Sequence, residues 1–152
     1  MHSYKPILLA DDNPRDAELA LAAMDEDHLA DKVAVCRDGT EVLDYLYRRG
    51  VYAARSEGNP ILIVLDLKMP RVDGLEVLRT IKQDAALSPI PVVMFTSSKE
   101  EFDVAQCYAA GVNAYVVKPV DFPDYVRAVR ELGVFWGVIN EPPPPGCHVD
   151  LT

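Results

Sequence analysis

Five polar residues stand at the ends of apolar runs, and their types are complementary. Ile7-Leu8-Leu9-Ala10 leads into Asp11-Asp12, and Ile61-Leu62-Ile63-Val64-Leu65 into Asp66. Val92-Val93-Met94-Phe95 leads into Thr96, and Ala114-Tyr115-Val116-Val117 into Lys118. Three carboxylates converging without a counter-charge repel one another, and such groups hold a divalent cation or raise a pKa. Hard oxygen ligands suit magnesium, which keeps several waters and commonly takes a few carboxylates plus phosphate. Lys118 adds a compact positive charge and Thr96 a neutral hydroxyl. Together they describe a site for a phosphoryl group beside a metal, in which one carboxylate is the nucleophile and becomes an acyl phosphate. Metal and amine would stabilise the charge spread over the transferring oxygens.

These residues must be positioned by the elements they terminate. A polar residue directly after a buried strand lies at the carboxyl end, where open parallel sheets keep their sites. Helical runs alternate with the strands. Asn13-Pro14 opens a helix to about Asp27, Val33–Cys36 reads as a short strand, and Asp38-Gly39 precedes Val42, Leu43, Leu46 and Tyr47 at helical spacing. Arg48 to Pro60 is a long loop. Asp73-Gly74 opens a helix carrying Leu75, Val77, Leu78 and Ile81, and the helix from Glu100 to Ala110 stops at Gly111 as a left-handed cap. Asp121 caps a last helix to about Asn140. Five such βα units predict a doubly wound α/β domain, a five-stranded parallel sheet with five helices on both faces. In the last helix Phe122, Val126, Val129, Leu132 and Trp136 form one core-facing stripe. Val134, Phe135 and Val138 fall off it, and three surplus apolar residues near a proline run suggest an interface.

The chain has 152 residues and a net charge of −9, which argues against a nucleic-acid-binding surface. Cys36, Cys107 and Cys147 are odd in number and lack metal-site spacing, which fits a reducing cytoplasm. No signal peptide is visible, and no apolar run approaches the roughly 20 residues that span a bilayer. Pro142 to Gly146 prefers an extended polyproline conformation. The expected division is a domain over 1–140 and a proline-rich tail over 141–152, with no covalent output module.

Asp11-Asp12, Asp66 with Met69-Pro70 and Asp73-Gly74, Thr96-Ser97, and Tyr115 with Lys118-Pro119 resemble the receiver domain of two-component response regulators, over roughly residues 5 to 137. The resemblance implies a flavodoxin-like receiver fold and the following roles. Asp66 is the phosphoacceptor, Asp12 binds Mg2+ directly, Asp11 supports it, and the backbone carbonyl of Lys68 is a further ligand. Lys118 pairs with Asp66 or its phosphate. Thr96 swings toward the phosphate, and Tyr115 follows it inward from an exposed rotamer. Pro119 follows a cis peptide bond. Lys68 and Ser98, two positions beyond Asp66 and Thr96, overlook the phosphoryl group and modulate its hydrolysis. The Arg48–Pro60 insertion and the ending from Phe135 to Pro144 are similar to stand-alone receivers paired with phytochrome kinases. That implies a sensor histidine kinase of phytochrome type as partner, and a homodimer through the fourth helix, fifth strand and fifth helix.

Three other readings share parts of this pattern. A flavodoxin-type electron carrier needs a Ser/Thr/Gly-rich phosphate loop where this chain has Asp11-Asp12-Asn13-Pro14. An aspartyl-nucleophile phosphohydrolase has a second acid where Lys68 stands. A pseudo-receiver that is never phosphorylated would lack a site residue, and none is missing.

Overall fold

Parallel strands covered on both faces must be apolar along their whole length, and the runs closed by Asp11, Asp66 and Thr96 are. In the computed structural model, which describes residues 6–142 apart from the side chain of Val138, β1 (Ile7–Ala10), β3 (Leu62–Leu65) and β4 (Val92–Thr96) are buried throughout. With β2 (Val33–Cys36) and β5 (Ala114–Val117) they make one parallel sheet of order β2-β1-β3-β4-β5. The edge strand β5 is half-exposed. The tail from residue 143, with Cys147, lies outside the described residues, as does the side chain of Val138.

Between the strands run α1 (Pro14–Asp25), α2 (Gly39–Tyr47), α3 (Gly74–Gln83) and α4 (Glu101–Ala109), and α5 (Phe122–Val134) follows β5, continuing into a π-helical turn over Phe135–Ile139. Alternation along each strand divides the core in two. Leu8, Ala10, Ile63, Leu65, Val92 and Met94 pack beneath α2, α3 and α4. Ile7, Leu9, Leu62, Val64, Val93 and Phe95 pack beneath α1 and α5. The expected doubly wound architecture is the observed one.

Local chemistry explains the element ends. Asn13 accepts at its side chain from the N–H groups of Arg15 and Asp16, Asp38 from that of Glu41, and Asp73 from that of Glu76. Gly111 takes φ +98°, the left-handed stop expected after α4. The 48–60 segment is more structured than a loop. Gly50–Tyr52 forms a 3-10 turn, and the Tyr52 hydroxyl donates to Glu41 Oε1 at 2.8 Å. The Arg55 guanidinium sits 4.2 Å from the centre of the Tyr45 ring.

Two expectations about the last third of the chain fail. The Lys118–Pro119 bond is trans, since no described peptide bond is cis. The tertiary amide before a proline leaves only about 0.5–1 kcal/mol between isomers, so sequence alone does not fix which one a fold takes. The α5 stripe departs at its first member only: Val126, Val129, Leu132 and Trp136 pack against the core, and Phe122 does not. Phe122 is 59% exposed at the first turn, while Tyr125, with Val129, faces the core. Trp136 does pack against this core, half-buried.

Candidate functional site

The strand ladders run one residue past the strands themselves, and this brings the polar residues side by side. Ala10 pairs with both Cys36 and Leu65. The Asp11 N–H then donates to the Cys36 carbonyl at 3.1 Å, and the Asp66 N–H to the Ala10 carbonyl at 2.9 Å. On the far side the Lys118 N–H donates to the Thr96 carbonyl at 2.7 Å. The carboxyl ends of β1, β3, β4 and β5 are thereby locked in one row at the point where strand order reverses, the crevice such sheets use for ligands. The buried polar residues among those described are Asp11, Asp66 and Thr96, all from this row.

Lys118 is the centre of the site. Its ammonium donates to Asp11 Oδ2 at 2.8 Å, to Asp16 Oδ2 at 2.9 Å and to Asp66 Oδ2 at 3.1 Å. Burial works against its charge, but hydrogen bonds to Asp11 and Asp16 outweigh that and hold its pKa above the ordinary lysine value. Asp11 goes the same way for the opposite reason. Its burial raises the carboxyl pKa, and the contacts with Lys118 and the Asn13 N–H only partly offset this. Carboxylate oxygens of Asp11, Asp12 and Asp66 all lie within 4.8 Å of one another. A set of hard oxygens this close, one of them on a side chain whose burial disfavours its own charge, fits a small divalent cation. Asp12 is exposed and can reach such an ion from solvent.

The remaining expected residues ring this centre. The Ser98 N–H approaches Thr96 Oγ1 at 3.4 Å, and the Lys68 N–H approaches Asp66 Oδ1 at 3.4 Å, both long contacts. Tyr115 differs from expectation. Its ring is half-buried against the core beneath α4, and its hydroxyl donates to the Ser98 carbonyl at 2.8 Å, so it already points inward. That carbonyl offers an acceptor which an exposed rotamer would forgo. Lys68 and Ser98 meet at a residue that sequence reasoning missed. Asp103 of α4 accepts from Ser98 Oγ at 2.6 Å and lies 3.9 Å from Lys68 Nζ. Asp16 was missed too, although its place four residues after Asp12, in the first turn of α1, was a signal. Val134 and Phe135 are not beside α4. With Asp27, Val126, Arg130 and Ile139 they line a groove of about 750 Å³ on the α1 side of α5.

Comparison with known proteins agrees with this geometry. Residues 7–130 match the family described as response regulator receiver domain. Response regulator Rcp1 of Synechocystis sp. is 36% identical over 132 residues, 87% of this chain and 88% of that protein. Its Mn2+-bound structure superposes with a TM-score of 0.83 at 34% identity, covering 91% and 98% of the two chains. The phosphorylated cyanobacterial phytochrome response regulator RcpA gives a TM-score of 0.85 at 36% identity, covering 93% and 99%. The bacteriophytochrome response regulator RtBRR is 56% identical with a TM-score of 0.73, covering 93% and 85%.

Proposed function

Because the chain belongs to the response regulator receiver domain family, we propose that it is a phosphorylation switch whose Asp66 takes a phosphoryl group from a partner sensor histidine kinase of phytochrome type. The observation that carries this reading is the shared hold of Lys118 on Asp11 and Asp66 beside a third carboxylate, Asp12. In the transfer an Asp66 carboxylate oxygen bonds to phosphorus as the phosphorus–nitrogen bond to the kinase histidine breaks. The imidazole leaves and takes up a proton, and the product is an acyl phosphate. Lys118, within hydrogen-bond distance of Asp66, offsets charge on the phosphoryl oxygens. Asp11, Asp12, Asp66 and the Lys68 carbonyl would hold Mg2+, whose role is to neutralise the same oxygens.

Thr96 lies buried at the end of β4, one strand from Asp66, and its hydroxyl turns to the phosphoryl group. The Ser98 N–H on that hydroxyl and the Tyr115 hydroxyl on Ser98 carry the change to α4. The output is the face built from α4, β5 and α5, where Phe102, Tyr108, Val117, Val120 and Phe122 are exposed. That apolar content supports a homodimer through the same face in the cytoplasm. Lys68, exposed over the site, sets how fast water removes the phosphate.

Intact mass after treatment with acetyl phosphate and Mg2+ tests the reading, with Asp66→Asn as control. One added phosphate on the wild type and none on the variant is expected. A wild type that never gains mass would make the chain a non-phosphorylated interaction module instead.

A further inference from the structure

An ammonium has three hydrogens, and Lys118 places each on a different carboxylate. Two of these, Asp11 and Asp66, belong to the acid cluster. The third, Asp16, comes from the first turn of α1 and lies as near as the others. A first-turn acid is favoured at any helix N-terminus, and that alone would leave the side chain in solvent. Asp16 is instead turned inward, 28% exposed, and its backbone is fixed at both ends. Its N–H donates to Asn13 Oδ1 at 3.2 Å, and its carbonyl accepts from the Tyr125 hydroxyl at 3.0 Å.

Asp11 Oδ2 and Asp66 Oδ2 are occupied by Lys118, and a divalent cation in the acid cluster draws on the same two carboxylates. Two cations that share ligands repel. A nearly buried ammonium forced off both carboxylates needs another anion, because its hydrogens cannot be left unpaired without cost. We propose that Asp16 is a positioning residue for Lys118: it draws the ammonium toward α1, so that Asp11 and Asp66 can take a divalent cation while Lys118 stays within reach of a phosphoryl group on Asp66. This deepens the function proposed above and rests on it for the phosphoryl half. Without Asp16, Lys118 falls back on Asp11 and Asp66 and competes with the cation. Without Lys118, Asp16 has no effect to transmit.

Manganese binding, read from the electron paramagnetic resonance of the free ion, tests this in the full chain. Asp16→Asn is expected to weaken Mn2+ binding by about fivefold to tenfold, the upper figure being ~1.4 kcal/mol. Asp16→Glu should restore most of it. Glu18→Gln, an exposed acid of the same helix, should change binding less than about twofold, as a remote, screened charge does. In a Lys118→Met background Asp16→Asn should likewise change little, the signature of a coupled pair in a double-mutant cycle. Wild-type affinity in Asp16→Asn overturns the proposal, and so does an undiminished loss in the Lys118→Met background. If Lys118→Met does not fold, the comparison of Asp16→Asn, Asp16→Glu and Glu18→Gln still decides, since equal losses in Asp16→Asn and Glu18→Gln, with none in Asp16→Glu, leave only bulk charge and overturn the proposal. A wild type that binds Mn2+ but takes no phosphate would overturn the phosphorylation reading and leave the metal comparison standing.

Discussion

Replacing Lys118 with methionine should destabilise the protein by an amount that depends on magnesium. The side chain of Lys118 is 9% exposed, those of Asp11 and Asp66 are 4% and 11%, and Asp16 is 28%. Removing one partner of a buried pair costs roughly 3–5 kcal/mol, because the charge left behind is uncompensated. Asp16 can turn to water, so the loss is carried mostly by Asp11 and Asp66. A divalent cation held by the acid cluster would replace the missing charge at those two carboxylates. A ligand at a hundred times its Kd stabilises by about 2.7 kcal/mol, and each tenfold gain in affinity adds about 1.4 kcal/mol. The variant should bind the cation at least tenfold tighter, so its deficit against wild type should shrink by ~1.4 kcal/mol or more at saturating magnesium. Urea unfolding with chelator and with magnesium measures both deficits. Acid acts in the same direction. Burial already raises the folded-state pKa of Asp11 above its unfolded value, so ionised Asp11 costs stability that is recovered as pH falls through the folded value toward the unfolded one. With Lys118 gone that recovery should be larger. A deficit equal with and without magnesium, or below about 1 kcal/mol, would refute the view that Lys118 neutralises buried acids.

Three further perturbations probe the frame around the site. A methyl group on Gly74 would collide with the Asp66 carbonyl oxygen and sit 2.9 Å from Leu67 Cα, so Gly74→Ala should cost about 1–3 kcal/mol in a thermal melt and slow phosphoryl uptake by displacing Asp66. Tyr125→Phe removes the hydroxyl that the Asp16 carbonyl accepts, and chemical denaturation should show a loss of about 1 kcal/mol with the fold intact. Burial pushes the Cys36 thiol up to about 12 and the Cys107 thiol up to about 11. Both should therefore resist alkylation in the native protein at mildly alkaline pH and label fully in urea, as peptide mass mapping would record.

The row of site residues was legible because burial and position coincide in a parallel sheet. A polar residue that ends a continuous apolar run must sit at the strand's carboxyl end, and the ladders set Asp11, Asp66 and Lys118 in line with no further information. Helix boundaries at Asn13, Asp38 and Asp73 were equally local, each fixed by a side chain bonding to N–H groups within three residues. What escaped depends on distances between segments far apart in the chain. Asp16 and Lys118 are separated by 102 positions, and Asp103 meets Lys68 and Ser98 only because α4 lies across the ends of β3 and β4. The first position of the α5 stripe failed for a different reason. Helical spacing ranks Phe122 above Tyr125 by hydropathy, yet the tyrosine ring packs 5.5 Å from that of Phe95 while its hydroxyl finds a backbone acceptor, so its polar atom costs nothing to bury.

Two polar routes leave the site, and they differ in stiffness. One runs from Lys118 through Asp16 to Tyr125 of α5. Its last bond is to a backbone carbonyl, which is unaltered when the Asp16 carboxylate changes partners. The helix it reaches buries Tyr125, Val129 and Gly133. The other runs from Thr96 through Ser98 to Asp103 of α4 and to Tyr115. It begins with a contact of 3.4 Å, and its branch to α4 is a side-chain bond from Ser98 Oγ to Asp103, reaching a helix whose single buried residue is Cys107. A new charge on Asp66 can shift a population only by what its contacts differ between two arrangements. Moving α5 would disturb a packed core, whereas moving α4 exchanges a few surface hydrogen bonds for others. If Asp66 takes a phosphoryl group as proposed, α4 is on these energetic grounds the element expected to respond and α5 the support against which it moves. The same difference predicts that amide hydrogen exchange will be faster in α4 than in α5 before any phosphate arrives, and protection equal in the two helices would remove the basis for this assignment.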